Sequence, residues 1–329
     1  MTEPRDTTLS PPAAPATVRG RVRLWGEMIK FSHSIFALPF ALMGAFLAGR
    51  QIEGLGRPRL GQIVLIVVCM VAARSTAMTF NRIADAAIDA RNPRTASRPL
   101  PSGRLSPTAA WAFLALAVLT FGIGCLGFYR FYGNHWPILL SGPVLLYLYA
   151  YSYAKRFTRW SHLWLGSAIA LSPVAAWVAI DPATVGRPAV TLMGAAALWI
   201  AGFDIIYACQ DIEVDRRDGL HSLPARIGPA GALLVARLFH AGTVVLLVAL
   251  AVVAGLGWVY LVGVAAVAVL LAVENSLVRA DDFSRVNLAF FTTNGIVSVV
   301  LCALTLTDVL TDRPPLFTYP GTESRSAVS

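Results

Sequence analysis

Nine stretches of the chain are too apolar for too long to face water. They run over roughly residues 31–49, 60–80, 109–128, 136–154, 162–180, 189–208, 229–253, 257–274 and 287–308. A helix of about 20 residues spans a bilayer, and in lipid every backbone polar group must be bonded within its own segment. Nine such runs predict an all-α fold, a polytopic membrane bundle of nine transmembrane helices. Composition agrees: only 14% of residues are charged and the mean hydropathy is +0.64, whereas a soluble domain carries about 25% charged residues. The seventh and eighth runs are separated only by Ala254, Gly255 and Leu256, which predicts a tight helical hairpin. The fourth is the most interrupted, by Pro137, Pro143 and the ladder Tyr147, Tyr149, Tyr151 and Tyr153. Tyrosines two apart cannot all share one helix face, and most read as interfacial belt.

The net charge of +9 does not mark a nucleic-acid face, because the basic residues sit in short loops between apolar runs. Of 27 Lys and Arg, 18 fall on the side of the N-terminal tail and 7 on the other. That asymmetry predicts a multi-pass protein of the cell (inner) membrane, N-terminus cytoplasmic and C-terminus outside. Residues 1–24 read as a disordered cytoplasmic tail, 25–308 as the transmembrane domain and 309–329 as a C-terminal tail. No apolar core of a signal peptide is present near the start. The four cysteines are far apart in sequence and form no CxxC, so neither a zinc site nor a disulfide framework is expected.

The two long polar loops, 81–108 and 209–228, lie on the cytoplasmic side, and each opens on spaced acids. In NRIADAAIDARNPRTASRPLPSG, Asn81, Asp85 and Asp89 stand four apart. Four residues leave a drift of about 40° around a helix, so the three form one polar stripe, about 6 Å between steps. In FDIIYACQDIEVDRRDG, Asp204, Tyr207, Asp211 and Asp215 share a face by the same rule, with Glu213 and Asp218 off it. Two facing pairs of carboxylates repel strongly at low dielectric. Divalent cations resolve this, and all-oxygen donors suit Mg²⁺, which takes one or two protein carboxylates and completes its shell with water and phosphate. The implied ligand is a diphosphate, met from its other side by bases among Arg94, Arg98, Lys155, Arg156, Arg216 and Arg226.

A lone pair of acids four apart at a helix end is ordinarily a solvated or capping face. Two such pairs, both at cytoplasmic ends of spans and both followed by basic loops, are not explained that way. Lys155 and Arg156 are also what a topogenic loop would carry, and Arg216 and Arg217 read as loop charge. His33, in the apolar FSHSIFALPF, is either a helix-packing histidine or a pocket residue.

These residues resemble the UbiA superfamily of intramembrane prenyltransferases. The stretch from Asn81 looks like its first signature, FDIIYACQDIEVD like its second, and YSYAKRFT like its Tyr…Lys-Arg segment after the fourth helix. Order and spacing agree over roughly residues 25–308. The resemblance implies a helical bundle around a central cavity open laterally to lipid, and prenyl transfer with loss of diphosphate. It makes Asn81, Asp85, Asp89, Asp211 and Asp215 the catalytic set, the four acids holding Mg²⁺ and diphosphate. Arg98, Lys155 and Arg156 match basic positions beside the diphosphate, and Asp204 and Tyr207 match residues just upstream of the second acids. One departure concerns the acceptor: the first span reads His33-Ser34-Ile35-Phe36 where 4-hydroxybenzoate enzymes usually show Lys-Pro-Ile-Gly.

The resulting expectation is a Mg²⁺-dependent polyprenyl transferase of quinone biosynthesis. Its partners are a polyprenyl diphosphate donor, an aromatic acid acceptor (4-hydroxybenzoate or, as in a menaquinone branch, a dihydroxynaphthoate) and the lipid bilayer, with no nucleic acid. CDP-alcohol phosphotransfer would need a further acid pair in one contiguous motif with Asp218–Gly219 and Ala225–Arg226, and none stands there. A secondary transporter with acidic ion sites is the rival of a different class; its acids would lie near mid-span.

Overall fold

The computed structural model describes residues 17–29, 34–52, 56–286 and 292–311, so His33 and most of both tails lie outside it. Among the described residues the chain is helical, apart from two isolated bridges, Trp160 with Ser222 and Arg279 with Asp282. The helices are α1 (Val18–Ile29), α2 (Ser34–Gly49), α3 (Leu60–Ala84), α4 (Ala86–Arg91), α5 (Pro107–Tyr132) and α6 (Trp136–Ala154). They continue with α7 (Ser161–Ile180), α8 (Arg187–Ala208), α9 (Ile212–Arg217), α10 (Leu223–Ala254), α11 (Trp258–Leu277) and α12 (Asn294–Leu310).

Among the described residues six segments are long and apolar enough to cross a membrane: α3, α5, α7, α8 continued through α9, α10 and α11. The nine expected spans are thus not all found by length and hydropathy. The apolar parts of α2 and α12 are shorter, at Ala37–Gly49 and Asn294–Leu310. Prolines and tyrosines dilute α6. All three nevertheless pack into the bundle, where α2 meets α7, α12 and α3, and α6 lies between α5 and α7. The remaining neighbours are α3 with α5, α7 with α8, α8 with α10, and α10 and α12 with α11.

Lipid offers no hydrophobic drive between helices, so close approach depends on small residues. A Cβ on Gly166 of α7 would stand 2.3 Å from the Ala197 carbonyl oxygen of α8. One on Gly44 of α2 would stand 2.3 Å from that of Pro173 on α7. The hairpin between α10 and α11 forms as expected. Gly255 closes α10 in the left-handed region (φ 60°), and its amide donates back to Ala251 and Val252. The start of α11 is capped from another helix: buried Asp308 of α12 accepts from the amides of Gly257 (2.7 Å) and Tyr260 (3.3 Å).

Two expectations need correction. The stretch read as a disordered tail contains the start of α1. Its arginines conceal an amphipathic period whose Leu24 and Met28 pack against Leu105 and Ala110, while Trp25 stacks on Phe113 at 4.5 Å. The tyrosine ladder is largely packing rather than belt. Tyr149 and Tyr153 both meet Phe80 (4.4 and 6.1 Å), and Tyr147 bonds Ser167 and stacks on Trp164. The cysteines are free, yet two of them distant in sequence are neighbours in space: the sulfurs of Cys69 and Cys125 stand 4.0 Å apart between α3 and α5.

Candidate active site

Both acidic stretches begin on long helices and end on short ones. At Asp85 the backbone leaves the helical region (φ −100°, ψ 6°) and separates α3 from α4. The amides of Asp85 and Asp89 still bond the carbonyls four residues back, at 2.9 and 2.8 Å, so the stripe of Asn81, Asp85 and Asp89 survives the hitch. In the second stretch a 3₁₀ turn over Cys209–Asp211 joins α8 to α9. That turn is tighter than the continuous α-helix the spacing assumes. Asp204, Tyr207, Asp211 and Asp215 nonetheless line one cavity together with Asn81, Asp85 and Asp89. Glu213 and Asp218 stay off it, as the spacing predicts.

The cavity has a volume of about 450 Å³, in the range of small-molecule sites. Its walls toward the membrane interior are apolar, with Ile66, Met70, Phe121, Phe128, Leu140 and Ile169 among them. Its head is ionic. Asp89, buried, accepts from Arg98 at 2.6 and 2.7 Å and lies 3.8 Å from buried Arg82. Asp85 accepts from Asn81 (2.9 Å) and Arg156 (3.2 Å). Arg94 forks onto both oxygens of Asp211, with Nε 2.9 Å from Oδ1, and donates to the Tyr207 hydroxyl at 2.9 Å. Asn92 gives Asp211 a further bond at 3.1 Å. Lys155 Nζ lies 3.8 Å from Asp215.

This arrangement holds charge that burial opposes. Desolvation pushes the Asp85 carboxyl above its usual range, against the hydrogen bond from Arg156. Burial also disfavours a charged Lys155. The fields of Asp215, Asp204, Asp211 and Asp85 outweigh it and hold the ammonium above its usual range. Among the described residues no three acids, histidines or cysteines converge closely enough to cage a metal unaided. Two carboxylate pairs with a bound phosphate fit Mg²⁺, which needs only one or two protein carboxylates. Asp215 Oδ2 is buried and, among the described residues, has no hydrogen-bond partner, with Lys155 Nζ 3.8 Å away; an oxygen free of donors suits a hard cation.

Of the bases expected near a diphosphate, Arg94, Arg98, Lys155 and Arg156 line the cavity, whereas Arg216 and Arg226 do not. Arg216 spends its Nε on the Ala225 carbonyl instead. Three relevant residues escape a reading of the acidic motifs. Arg74 lies in the second apolar run, where an arginine stands out only as an expensive residue in lipid, and Arg82 follows Asn81 inside the first acidic stretch. Both line the cavity, and Arg74 makes no ion pair among the described residues, its Nε buried and without a hydrogen-bond partner. His162 lies behind the wall, its Nδ1 2.7 Å from Asp204 Oδ2.

Residues 37–296 match the model of the UbiA prenyltransferase family. The chain belongs to the UbiA prenyltransferase family. A 4-hydroxybenzoate octaprenyltransferase from Nitrosococcus oceani is 29% identical over 290 residues, covering 88% of this chain and 98% of the relative. One from Alcanivorax borkumensis is 31% identical over 229 residues, covering 69% and 76%. Among solved structures, the apo structure of a UbiA homolog from Aeropyrum pernix K1 superposes with TM-score 0.74 at 32% identity, covering 84% of this chain and 98% of that one. A UbiA homolog from Archaeoglobus fulgidus bound to GPP and Mg²⁺ shares the fold, with TM-score 0.65 at 19% identity over 87% and 99%. This UbiA-family chain is therefore a membrane prenyltransferase, and its acid-lined cavity is the candidate place of transfer.

Proposed function

We propose that this protein transfers a polyprenyl group from its diphosphate to 4-hydroxybenzoate, in the route to ubiquinone, with Mg²⁺ as cofactor. The observation that carries this reading is the build of the cavity: two carboxylate pairs and four bases at one end of an apolar chamber. A diphosphate fits the ionic head and a prenyl chain fits the apolar walls. The names of the relatives support 4-hydroxybenzoate over a dihydroxynaphthoate as acceptor. Crowding of the acids at one end of the cavity speaks against a transporter with ion sites at mid-span.

Asp85, Asp89, Asp211 and Asp215 would hold Mg²⁺, which supplies charge neutralisation to the leaving diphosphate. Arg94, Arg98, Lys155 and Arg156 then receive the negative charge that develops on the diphosphate oxygens as the allylic C–O bond ionises. The apolar walls keep water from the allylic cation until the electron-rich ring attacks it. Arg74, buried in the wall without an ion-pair partner among the described residues, suits the carboxylate of the acceptor. Residues 25–308 form the catalytic domain, in which α2, α6 and α12 complete nine spans, with the N-terminus cytoplasmic and the C-terminus outside. The test is turnover of geranyl diphosphate by detergent-purified protein with a panel of acceptors. Prenylated 4-hydroxybenzoate should form with Mg²⁺ and not with excess EDTA. Product from 1,4-dihydroxy-2-naphthoate alone, or only from an acceptor lacking a carboxylate, would overturn the acceptor assigned.

A further inference from the structure

Among the described residues five acids face the cavity, and four of them are engaged by arginine or lysine: Asp85 by Arg156, Asp89 by Arg98 and Arg82, Asp211 by Arg94, and Asp215 by Lys155. Asp204 is the fifth. Its hydrogen-bond partner is an imidazole, His162 Nδ1 at 2.7 Å, from the first turn of α7. The imidazole is 2% exposed, and its Nε2 is buried with no hydrogen-bond partner among the described residues. A buried N–H without an acceptor is rarer in proteins than a bare acceptor. The ring is therefore assigned with its proton on Nδ1, donating to the carboxylate. Asp204 Oδ2 is thus tied from behind, while the residue lines the cavity.

Depth adds a second observation. Asp204, on α8, stands seven residues before Asp211, about 10 Å along the chain's helical path, and so lines the cavity below its ionic head. Tyr151 of α6 and Lys155 just after it are charged or titratable neighbours within the field of Asp204.

The reaction itself demands a base. Two electrons of the ring form the new C–C bond, and those of the allylic C–O bond leave with the diphosphate. The ring carbon then holds both hydrogen and prenyl group until its C–H electrons return to the ring and the proton departs. Resting on the 4-hydroxybenzoate reading above, we propose that Asp204 takes this ring proton, and that His162 is a positioning residue holding the carboxylate to that task. The proton lands on the Asp204 oxygen not bonded to His162 and passes to water as product leaves. A carboxylate clamped by arginine or committed to a cation is ill suited to this, and Asp204 is neither.

The experiment compares 4-hydroxybenzoate with its analogue deuterated at both positions ortho to the hydroxyl, using geranyl diphosphate and Mg²⁺. Asp204→Asn should lower kcat by about a hundredfold or more, the usual range for a lost general base. Its primary isotope effect should exceed that of the wild type, because ring-proton loss becomes limiting. His162→Gln, which keeps a donor to Asp204, should stay within a few-fold of wild type. His162→Leu should move toward Asp204→Asn in both rate and isotope effect. A thermal shift on adding geranyl diphosphate and Mg²⁺ reports that each variant is folded. Lost turnover in a folded Asp204→Asn protein with an unchanged isotope effect would overturn the inference alone, as would a His162→Leu protein behaving as wild type. Failure of the wild type to prenylate 4-hydroxybenzoate would overturn the underlying reading, and the inference with it.

Discussion

At the scale of single residues, the acids are expected to act as a unit. Asp89→Asn and Asp215→Asn should each lower kcat by orders of magnitude, since metal stabilisation of developing charge is worth several kcal/mol. The double variant should be scarcely worse than either single one, as for groups serving one step. Glu213→Gln, exposed and off the cavity, should remain within a few-fold of wild type; steady-state kinetics in saturating Mg²⁺ separates the cases. Arg74 makes a different prediction. A charged hydrogen bond contributes about 1.5–3 kcal/mol, so Arg74→Leu should raise KM for the aromatic acid by about 10- to 100-fold and leave KM for the diphosphate nearly unchanged. The acids were legible because helix periodicity maps residues four apart onto one face. Arg74 and His162 were not, because their meaning comes from neighbours on other helices, such as Asp204, 42 positions beyond His162.

At the scale of elements, hydropathy located the long helices and failed where an element earns its place by packing. Helix α1 was missed because arginines mask its apolar face, and α6 falls short of a span by composition while remaining inside the bundle. Contacts between elements are testable in the same terms. Asp308 caps α11 from α12, so Asp308→Ala leaves two buried amides without their acceptor, at about 1–3 kcal/mol. At about 2–4 °C per kcal/mol for chains approaching this size, the melting temperature in detergent should fall by several degrees with kcat little changed. Gly166→Leu should be more severe. Its side chain would occupy the space of a backbone carbonyl, and a rigid neighbour cannot give way cheaply; loss of monodisperse protein on size exclusion is the expected outcome.

At the scale of the whole molecule, the distribution of basic residues predicts which end faces which compartment. A reporter active only in the cytoplasm, fused after Ser329, should be silent, and clear activity would contradict nine spans with the N-terminus inside. The general architecture was legible because lipid permits so few solutions to backbone bonding. The pairing of the two halves was not, since no spacing within one stretch encodes a contact with the other. That pairing has a consequence in time. The first acids find partners close by in the chain, Asp89 nine positions from Arg98 and Asp85 four from Asn81. Asp211 instead depends on Arg94 and Asn92, made 117 and 119 positions earlier. At about 5–20 residues per second, the ribosome needs on the order of ten seconds to cross that interval. The N-terminal half can therefore pair Asp89 with Arg98, and then Asp85 with Arg156, while the rest is still being synthesised. The C-terminal half cannot, and must dock onto a finished template to become electrically complete. Expressed alone, it should be the fragment that is degraded.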